Sequence, residues 1–353
     1  MHEIESRATF DSSTVTHTSV LTPLGFTLLR QLADGAYHSG EDLAATVGLT
    51  RARVSQLLKQ AETSGLSLER VRGRGYRLLA TPDFLDAGAV RAALRTLVPK
   101  SAAIPLLEVE VLDQIGSTST ELLKRSQRKD IHGDVLAAEW QTAGRGRRGR
   151  SWHAAAGGSL TFSLGWRFEQ GAGFLAGLSL AVGVAVVKAL EAEGLEGVEL
   201  KWPNDLVYRH LKIGGLLVEL NGDALGPSTV VVGVGLNVRL PVAVKRSIEQ
   251  PVSDLASVAG RGAPPIDRNH LLARLAASLA ITLAAYADSG FPPFAVEWQR
   301  RHAYQGKPVK LVLPDGASVK GTVAGVDSTG ALVLADGPRR ARFLSGEISL
   351  RRA

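Results

Sequence analysis

Gln141-Thr142-Ala143-Gly144-Arg145-Gly146-Arg147-Arg148-Gly149-Arg150-Ser151-Trp152 is the stretch on which the reading of this chain turns. It contains Gly-x-Gly-x-x-Gly from Gly144 to Gly149. A dinucleotide fingerprint of that form must open directly into a helix packed on a sheet. Here arginines fill the spaces and Ala154–Gly158 continues as small, loop-forming residues. A basic nucleic-acid patch is a second reading, but such patches usually sit in tails. This one lies between two strand candidates, Asp134–Glu139 and Ser159–Trp166. The third reading is a glycine-hinged loop closing on an anionic ligand, and it accounts for most. Glycine lets backbone approach the ligand, and arginine supplies planar, permanently charged donors to carboxylate and phosphate.

The rest of the chain sets the frame for that loop. At roughly 150 residues per domain, 353 residues imply two or three domains. Lys+Arg exceed Asp+Glu by 41 − 34 = 7, which favours anionic partners. With no cysteine, disulfides, thiolate metal sites and cysteine nucleophiles are excluded together. The eight histidines show no metal-ligand spacing, so no protein-held metal is expected. The apolar stretches Phe174–Val187 and Leu275–Ala287 are shorter than the roughly 20 residues of a membrane span. No secretory signal is visible, and a cytoplasmic protein without membrane contact is expected.

Residues 1–19 are rich in Ser, Thr and His and read as a disordered leader. Residues 20–81 carry three short helical patterns followed by a basic hairpin. Leu24, Leu28, Leu29 and Leu32 share one face of the first helix; Ser39 caps the second and Thr50 the third. Arg72-Gly73-Arg74-Gly75 turns the hairpin. This is the pattern of a winged helix-turn-helix DNA-binding domain. Arg51, Arg53, Ser55, Gln56 and Lys59 line the outer face of its third helix, with Arg72 and Arg74 on the wing. These side chains suit base edges and phosphates. A helix-containing linker is expected over 82–105. A mixed α/β region spans 106–301, with strands at Glu108–Leu112, Val198–Lys201, Leu216–Glu219 and Thr229–Val238 besides the two above. Its helices include Phe174–Glu193 and Arg268–Tyr286. Residues 302–353 hold short strands between Asp-Gly and Thr-Gly turns, the mark of a small β-barrel. The fold class is therefore multidomain α+β.

Two further segments accompany the arginine loop in order. Lys201-Trp202-Pro203-Asn204-Asp205 follows a strand, with Lys212 eleven residues beyond Lys201 and followed by Gly214-Gly215. Gly233-Val234-Gly235-Leu236-Asn237 ends another strand. Alone, each reads as core, turn or bulge; their co-occurrence in order with the loop points to a shared site.

With Ser117-Thr118 and the terminal Gly346–Leu350, this ordered set resembles the bacterial biotin protein ligases. The N-terminal pattern makes the bifunctional biotin ligase/biotin operon repressors the nearest resemblance, over roughly Leu21 to the C-terminus. The resemblance implies a class II synthetase-like biotin–lipoate ligase fold with an SH3-like C-terminal barrel. It implies biotin–[acetyl-CoA-carboxylase] ligase activity: ATP and Mg²⁺ convert biotin to biotinyl-5′-adenylate, and a lysine of a biotin carboxyl carrier protein then takes the biotin. It also implies an operator of biotin genes as DNA partner and a homodimer when adenylate is bound, with Arg148 and strand Val230–Val238 as candidate dimer face. Carried over residue by residue, Ser117, Thr118, Gln141, Gly144, Arg145, Gly146 and Arg147 match biotin and adenylate contacts. Lys212 matches the lysine at the reacting phosphate, so Lys212, Arg147 and Arg145 are the expected catalytic cations. Lys201, Asp205 and Asn237 fit a nucleotide–Mg²⁺ neighbourhood, and Trp152 an apolar wall. Ser119 departs from the family, where Asn often follows the Ser-Thr pair. Val252 stands near the position where the bifunctional proteins it resembles carry an aromatic that covers adenine. A lipoate ligase, or a ligand-sensing regulator without turnover, are the alternatives.

Overall fold

The structure, a computed structural model, describes residues 21–63, 66–79, 83–222, 226–248, 250–313, 317–344 and 349–352. The expected leader, 1–19, lies outside them, as does most of Gly346–Leu350.

Helix α1 (Pro23–Gln31) starts where Thr22 Oγ1 accepts the Gly25 N–H at 3.2 Å, with Pro23 in the first turn, where a missing N–H costs nothing. Its buried residues are Phe26, Leu28 and Leu29. Leu24, expected on that face, is 43% exposed. The helix begins only at Pro23, so Leu24 sits in its first turn, and Leu21 ahead of the cap is buried instead. Ser39 caps α2 (Gly40–Val47) by accepting the Asp42 N–H at 3.1 Å, and Thr50 accepts the Arg53 N–H at 3.3 Å at the start of α3 (Arg51–Thr63). Strands β1 (Leu68–Val71) and β2 (Gly75–Leu78) form an antiparallel hairpin. Gly75 is required there. Its φ is 102°, and a Cβ would lie 1.9 Å from the His38 carbonyl oxygen, which pairs with the Tyr76 N–H at 2.9 Å. The apolar cluster of these elements continues into Trp140 and Ala156 of the central region.

Helix α4 (Ala87–Leu97) follows, capped by Asp86. The central region then runs through β3 (Glu108–Ile115), α5 (Thr118–Ser126), β4 (Asp134–Gln141), β5 (Ser159–Phe168), α6 (Leu178–Ala192), β6 (Glu199–Lys201), β7 (Asp205–Tyr208), β8 (Leu211–Gly222), β9 (Ser228–Asn237), α7 (Val242–Ser247), α8 (Leu255–Ala259), α9 (Arg268–Ser289) and α10 (Pro292–Arg301). The strands form one seven-stranded mixed sheet in the order β3-β4-β5-β9-β8-β7-β6. Among the described strands of this sheet only β3 and β4 pair in parallel, with α5 as the crossover. Helices α4, α6 and α9 pack together on the sheet. Helix α9 is long and apolar enough to cross a membrane by length and composition. Its Leu271, Leu272, Leu275, Leu279 and Leu283 are nonetheless buried in this core.

Several sequence expectations change. The strand read at Leu216–Glu219 extends from Leu211 to Gly222, so Lys212 lies inside β8 rather than beside it. The helix read from Phe174 begins at Leu178, because Gly177, at φ 85°, breaks the chain after a short 3₁₀ turn at Ala172–Leu175. Strand Val230–Val238 cannot form a dimer face. As β9 it is bonded to β5 on one side and β8 on the other, and Val230, Val232, Val234 and Leu236 are buried. The expected barrel is a five-stranded antiparallel sheet, β13 (Arg339–Phe343), β12 (Leu332–Asp336), β11 (Ser318–Val326), β10 (Pro308–Val312) and β14 (Ser349–Arg352), in that spatial order.

Candidate active site

The register of β3 on β4 pairs Ile115 with Gln141. This brings Ser117, which caps α5, beside the end of β4. Gln141 Oε1 accepts the Thr118 backbone N–H at 2.7 Å and the Thr118 hydroxyl at 3.2 Å. Below them Ser163 of β5, fully buried, shares hydrogen bonds with the hydroxyls of Thr118 (2.7 Å) and Ser119 (2.9 Å). Gly233 on β9 leaves room for this cluster, since a Cβ there would lie 2.6 Å from Ser119 Oγ. The result is a small polar floor of hydroxyls and one amide within an apolar sheet.

The arginine loop joins β4 to β5. Its arms are held by Gly146 N–H to Arg150 O at 2.7 Å and Trp152 N–H to Gly144 O at 2.9 Å. Arg148 and Gly149 at its tip have φ of 58° and 70°. The Trp152 indole lies against Gly235, where a Cβ would sit 2.6 Å from the ring. Its buried Nε1–H has no acceptor among the described residues. Arg147 donates to Asn204 Oδ1 at 3.4 Å. Burial, reinforced by neighbouring Arg148, lowers the proton affinity of its guanidinium, while Asp205 supports its charge. Lys212 Nζ sits 2.8 Å from Asp205 Oδ1, both largely shielded from solvent. Arg145 pairs with Glu219 at 2.9 Å. Lys212 also bonds through its backbone to both Pro251 and Ser253, which draws Val252 to the cleft.

Ser117, Thr118, Ser119, Gln141, Arg145, Gly146, Arg147, Trp152, Asp205, Lys212 and Asn237 thus line one cleft. Gly144 stands behind it. A Cβ there would lie 2.7 Å from the Trp152 carbonyl oxygen, so its place is in closing the loop's arms. Lys201 does not line the cleft; it lies on edge strand β6, opposite Asp205 in register. Asn237 is buried and spends an N–H on Ser253 O at 3.0 Å, which ties down the Val252 segment. Arg150 of the loop lines the cleft too, and residues not singled out from sequence also contribute: Asn204, His153 and Phe162 line it, and Ser163 supports its floor. Asn204 was visible only as part of the Trp-Pro-Asn-Asp run, and a lone serine in an apolar strand carries no signal. Among the described residues no three His, Cys, Asp or Glu side chains gather to hold a metal.

A second charged surface lies on α3 and the hairpin. Arg51, Arg53, Gln56, Lys59, Arg72 and Arg74 are exposed there and Ser55 is half-buried. Arg53 donates to Gln56 Oε1 at 2.6 Å, Arg51 pairs with Glu41 at 3.2 Å, and the Arg74 guanidinium lies 4.4 Å from the Tyr37 ring centre.

Residues 111–237 match the model of the biotin/lipoate A/B protein ligase family, and residues 304–351 that of the biotin protein ligase C-terminal domain. The bifunctional ligase/repressor BirA of Salmonella typhimurium is 34% identical over 333 residues, covering 94% of this chain and 99% of that protein. The Escherichia coli protein of the same name is 35% identical over 326 residues, 92% of this chain and 97% of its own. Among solved structures, biotin protein ligase from Aquifex aeolicus in complex with biotin and ATP superposes with a TM-score of 0.58 at 29% identity, over 70% of this chain and 99% of that one. By sequence over nearly its whole length, and by the fold of its central and C-terminal parts, the chain belongs to the biotin/lipoate A/B protein ligase family.

Proposed function

We propose that the chain is an ATP-dependent biotin–[acetyl-CoA-carboxylase] ligase and also a DNA-binding repressor of biotin synthesis genes. The observation that carries the ligase reading is the convergence of Arg147 and Lys212 with the Ser117–Thr118–Gln141 floor in one cleft. The hydroxyls and amide suit the polar ring of biotin, and the cations suit its carboxylate and the phosphates of ATP. Two anions must be held together against their repulsion, so catalysis here is positioning and charge stabilisation. The biotin carboxylate oxygen attacks the α-phosphorus and pyrophosphate leaves. The amine of a carrier-protein lysine then attacks the acyl carbon, AMP leaves and the nitrogen loses a proton. Lys212, oriented by Asp205, contacts the reacting phosphate; Arg147 and Arg145 close over the adenylate, and Trp152 flanks it. A magnesium ion would enter with the triphosphate and neutralise part of its charge, since Mg²⁺ usually takes one or two carboxylates plus substrate phosphates. Asp205 is the acidic side chain lining the cleft among the described residues. A cytoplasmic setting, where ATP is at hand, suits this reaction.

The test is to incubate the protein with ATP, biotin and a biotin carboxyl carrier domain and map the product by mass spectrometry. A biotinyl amide on one carrier lysine is expected. No modification, or modification with lipoate only, would overturn the reading.

For the repressor role, we read α1, α2, α3 and the hairpin together as a winged helix-turn-helix, a reading supported by the exposed basic face of α3 as recognition helix. One such unit reads a short half-site, so binding as an adenylate-bound homodimer is expected. A gel shift on DNA upstream of biotin genes should strengthen with biotin and ATP; a ligand-independent or absent shift counts against it.

A further inference from the structure

The turn Trp202-Pro203-Asn204-Asp205 joins β6 to β7 and delivers Asn204 and Asp205 to the cleft. It is held from behind by residues beyond α10. The buried His302 accepts the Trp202 backbone N–H on Nε2 at 3.3 Å. The Trp202 indole N–H donates to Gly330 O at 3.2 Å, in the turn between β11 and β12. Ala303 N–H donates to Leu200 O at 2.8 Å. The His302 ring stacks on Trp298, centroids 4.5 Å apart and planes 25° apart. On the cleft side, Asn204 exchanges bonds with Leu216: its side-chain N–H donates to Leu216 O at 2.5 Å and its own carbonyl accepts the Leu216 N–H at 2.9 Å. Asn204 Oδ1 accepts from Arg147, and Asp205 holds Lys212.

We propose that His302 is a positioning residue for the ligase reaction, fixing Asn204 and Asp205, and through them Arg147 and Lys212, by its hydrogen bond to Trp202. This rests on the ligase reading above. Trp202 lies in a turn outside the strand ladder, so its N–H depends on this ring nitrogen. With Nε2 accepting, the proton is on Nδ1, which is buried with no partner among the described residues. A protonated ring would aim a donor at the Trp202 N–H, so the contact requires neutral imidazole. Desolvation keeps the ring neutral, with Lys307 as the charged group that adds to the effect.

His302→Phe keeps a ring against Trp298 but removes the acceptor; His302→Gln returns one at a similar reach. Both are compared with wild type in the full-length protein. Biotin-dependent ATP–pyrophosphate exchange gives kcat and both KM values. Hydrogen–deuterium exchange of the ligand-free protein over residues 202–216, with the thermal midpoint, gives the readout independent of turnover. His302→Phe should lower kcat about 10- to 100-fold, as displaced catalytic groups do. Biotin KM should stay within about two-fold, because the floor residues hang from other strands. Protection over 202–216 should fall, and His302→Gln should restore both. Wild-type kcat in a folded His302→Phe protein overturns the proposal, as does protection lost evenly across the central sheet without rescue by glutamine. If His302→Phe does not fold, His302→Asn, whose amide is too short to reach Trp202, takes its place with the same expectations. If the wild type itself exchanges nothing, the ligase reading fails. In that case protection lost only over 202–216 upholds the His302 linkage and unchanged protection refutes it.

Discussion

Lys212 and Asp205 hold one another at 2.8 Å in a cleft whose other charged groups are arginines. A lysine paired in this way is oriented but still able to exchange its partner for phosphate oxygens. Lys212→Met should therefore lower adenylation about 100-fold or more, the scale for removing a group that stabilises developing charge. Single-turnover formation of adenylate measures this, and a loss under about three-fold would remove Lys212 from the reacting phosphate. Arg147→Ala should shorten the lifetime of bound adenylate and let biotin reach lysines indiscriminately; a wild-type lifetime would refute the loop as a latch. His302 makes a different prediction. Burial pushes its pKa down to about 3, below the unfolded value near 6.5. Between these values the unfolded chain binds the proton and the folded chain does not. Stability therefore falls as pH drops through about 6.5 toward 3, and His302→Phe should flatten part of that slope in thermal melts. The cations were legible in the sequence because unusual residues repeat at close spacing. Ser163 and His302 were not, because their roles come from neighbours across the sheet and beyond α10.

Strand β4 links the cleft to the segment leading from the N-terminal helices. Its Gln141 lies in the polar floor, and two residues earlier Glu139, fully buried, accepts both guanidinium N–H groups of Arg268 at 3.0 and 2.9 Å and the Leu85 N–H at 2.5 Å. Arg268 also donates to the carbonyls of Asp83 and Ser159. Burial, the largest influence on Asp83, pushes its carboxyl above its ordinary range. Removing one partner of a buried, hydrogen-bonded pair leaves an uncompensated charge, so Arg268→Met should destabilise by about 3–5 kcal/mol. Urea denaturation measures this; a loss below about 1 kcal/mol would mean that solvent reaches Glu139. At this scale the sequence was informative where local chemistry decides. Ser39 and Thr50 cap the helices expected of them, and six of the seven central strands overlap the apolar runs read as strands, β7 at Asp205–Tyr208 being the one missed. It misled where tertiary packing decides: Leu24 is exposed, and the ends of β8 pair with neighbours that no local pattern announces. The Arg268–Glu139 pair spans 129 positions and left no mark in the sequence.

Across the molecule, the excess positive charge divides between two surfaces, the arginine loop at the cleft and the face of α3 with its hairpin. The N-terminal cluster packs on Trp140 and Ala156, and Arg30 bridges to Asp113 at 2.5 Å, so the two surfaces belong to contiguous packing. Arg53→Ala should weaken operator binding by about 1–3 kcal/mol if it reads a base edge. Lys59→Ala should weaken binding evenly across sequences and reduce the salt dependence by about one ion. Titrations at several salt concentrations separate the two roles, and unchanged affinity in both variants would assign α3 to another task. The chain order of motifs revealed the family because their co-occurrence is improbable by chance; their assembly around one cleft depends on a sheet order that sequence does not display. That cleft is where biotin is joined to AMP. Biotin-dependent exchange of labelled pyrophosphate into ATP by the purified wild-type protein, with lipoate as the parallel substrate, tests it most directly. Exchange with biotin and none with lipoate is predicted; exchange with lipoate alone, or with neither, would contradict it.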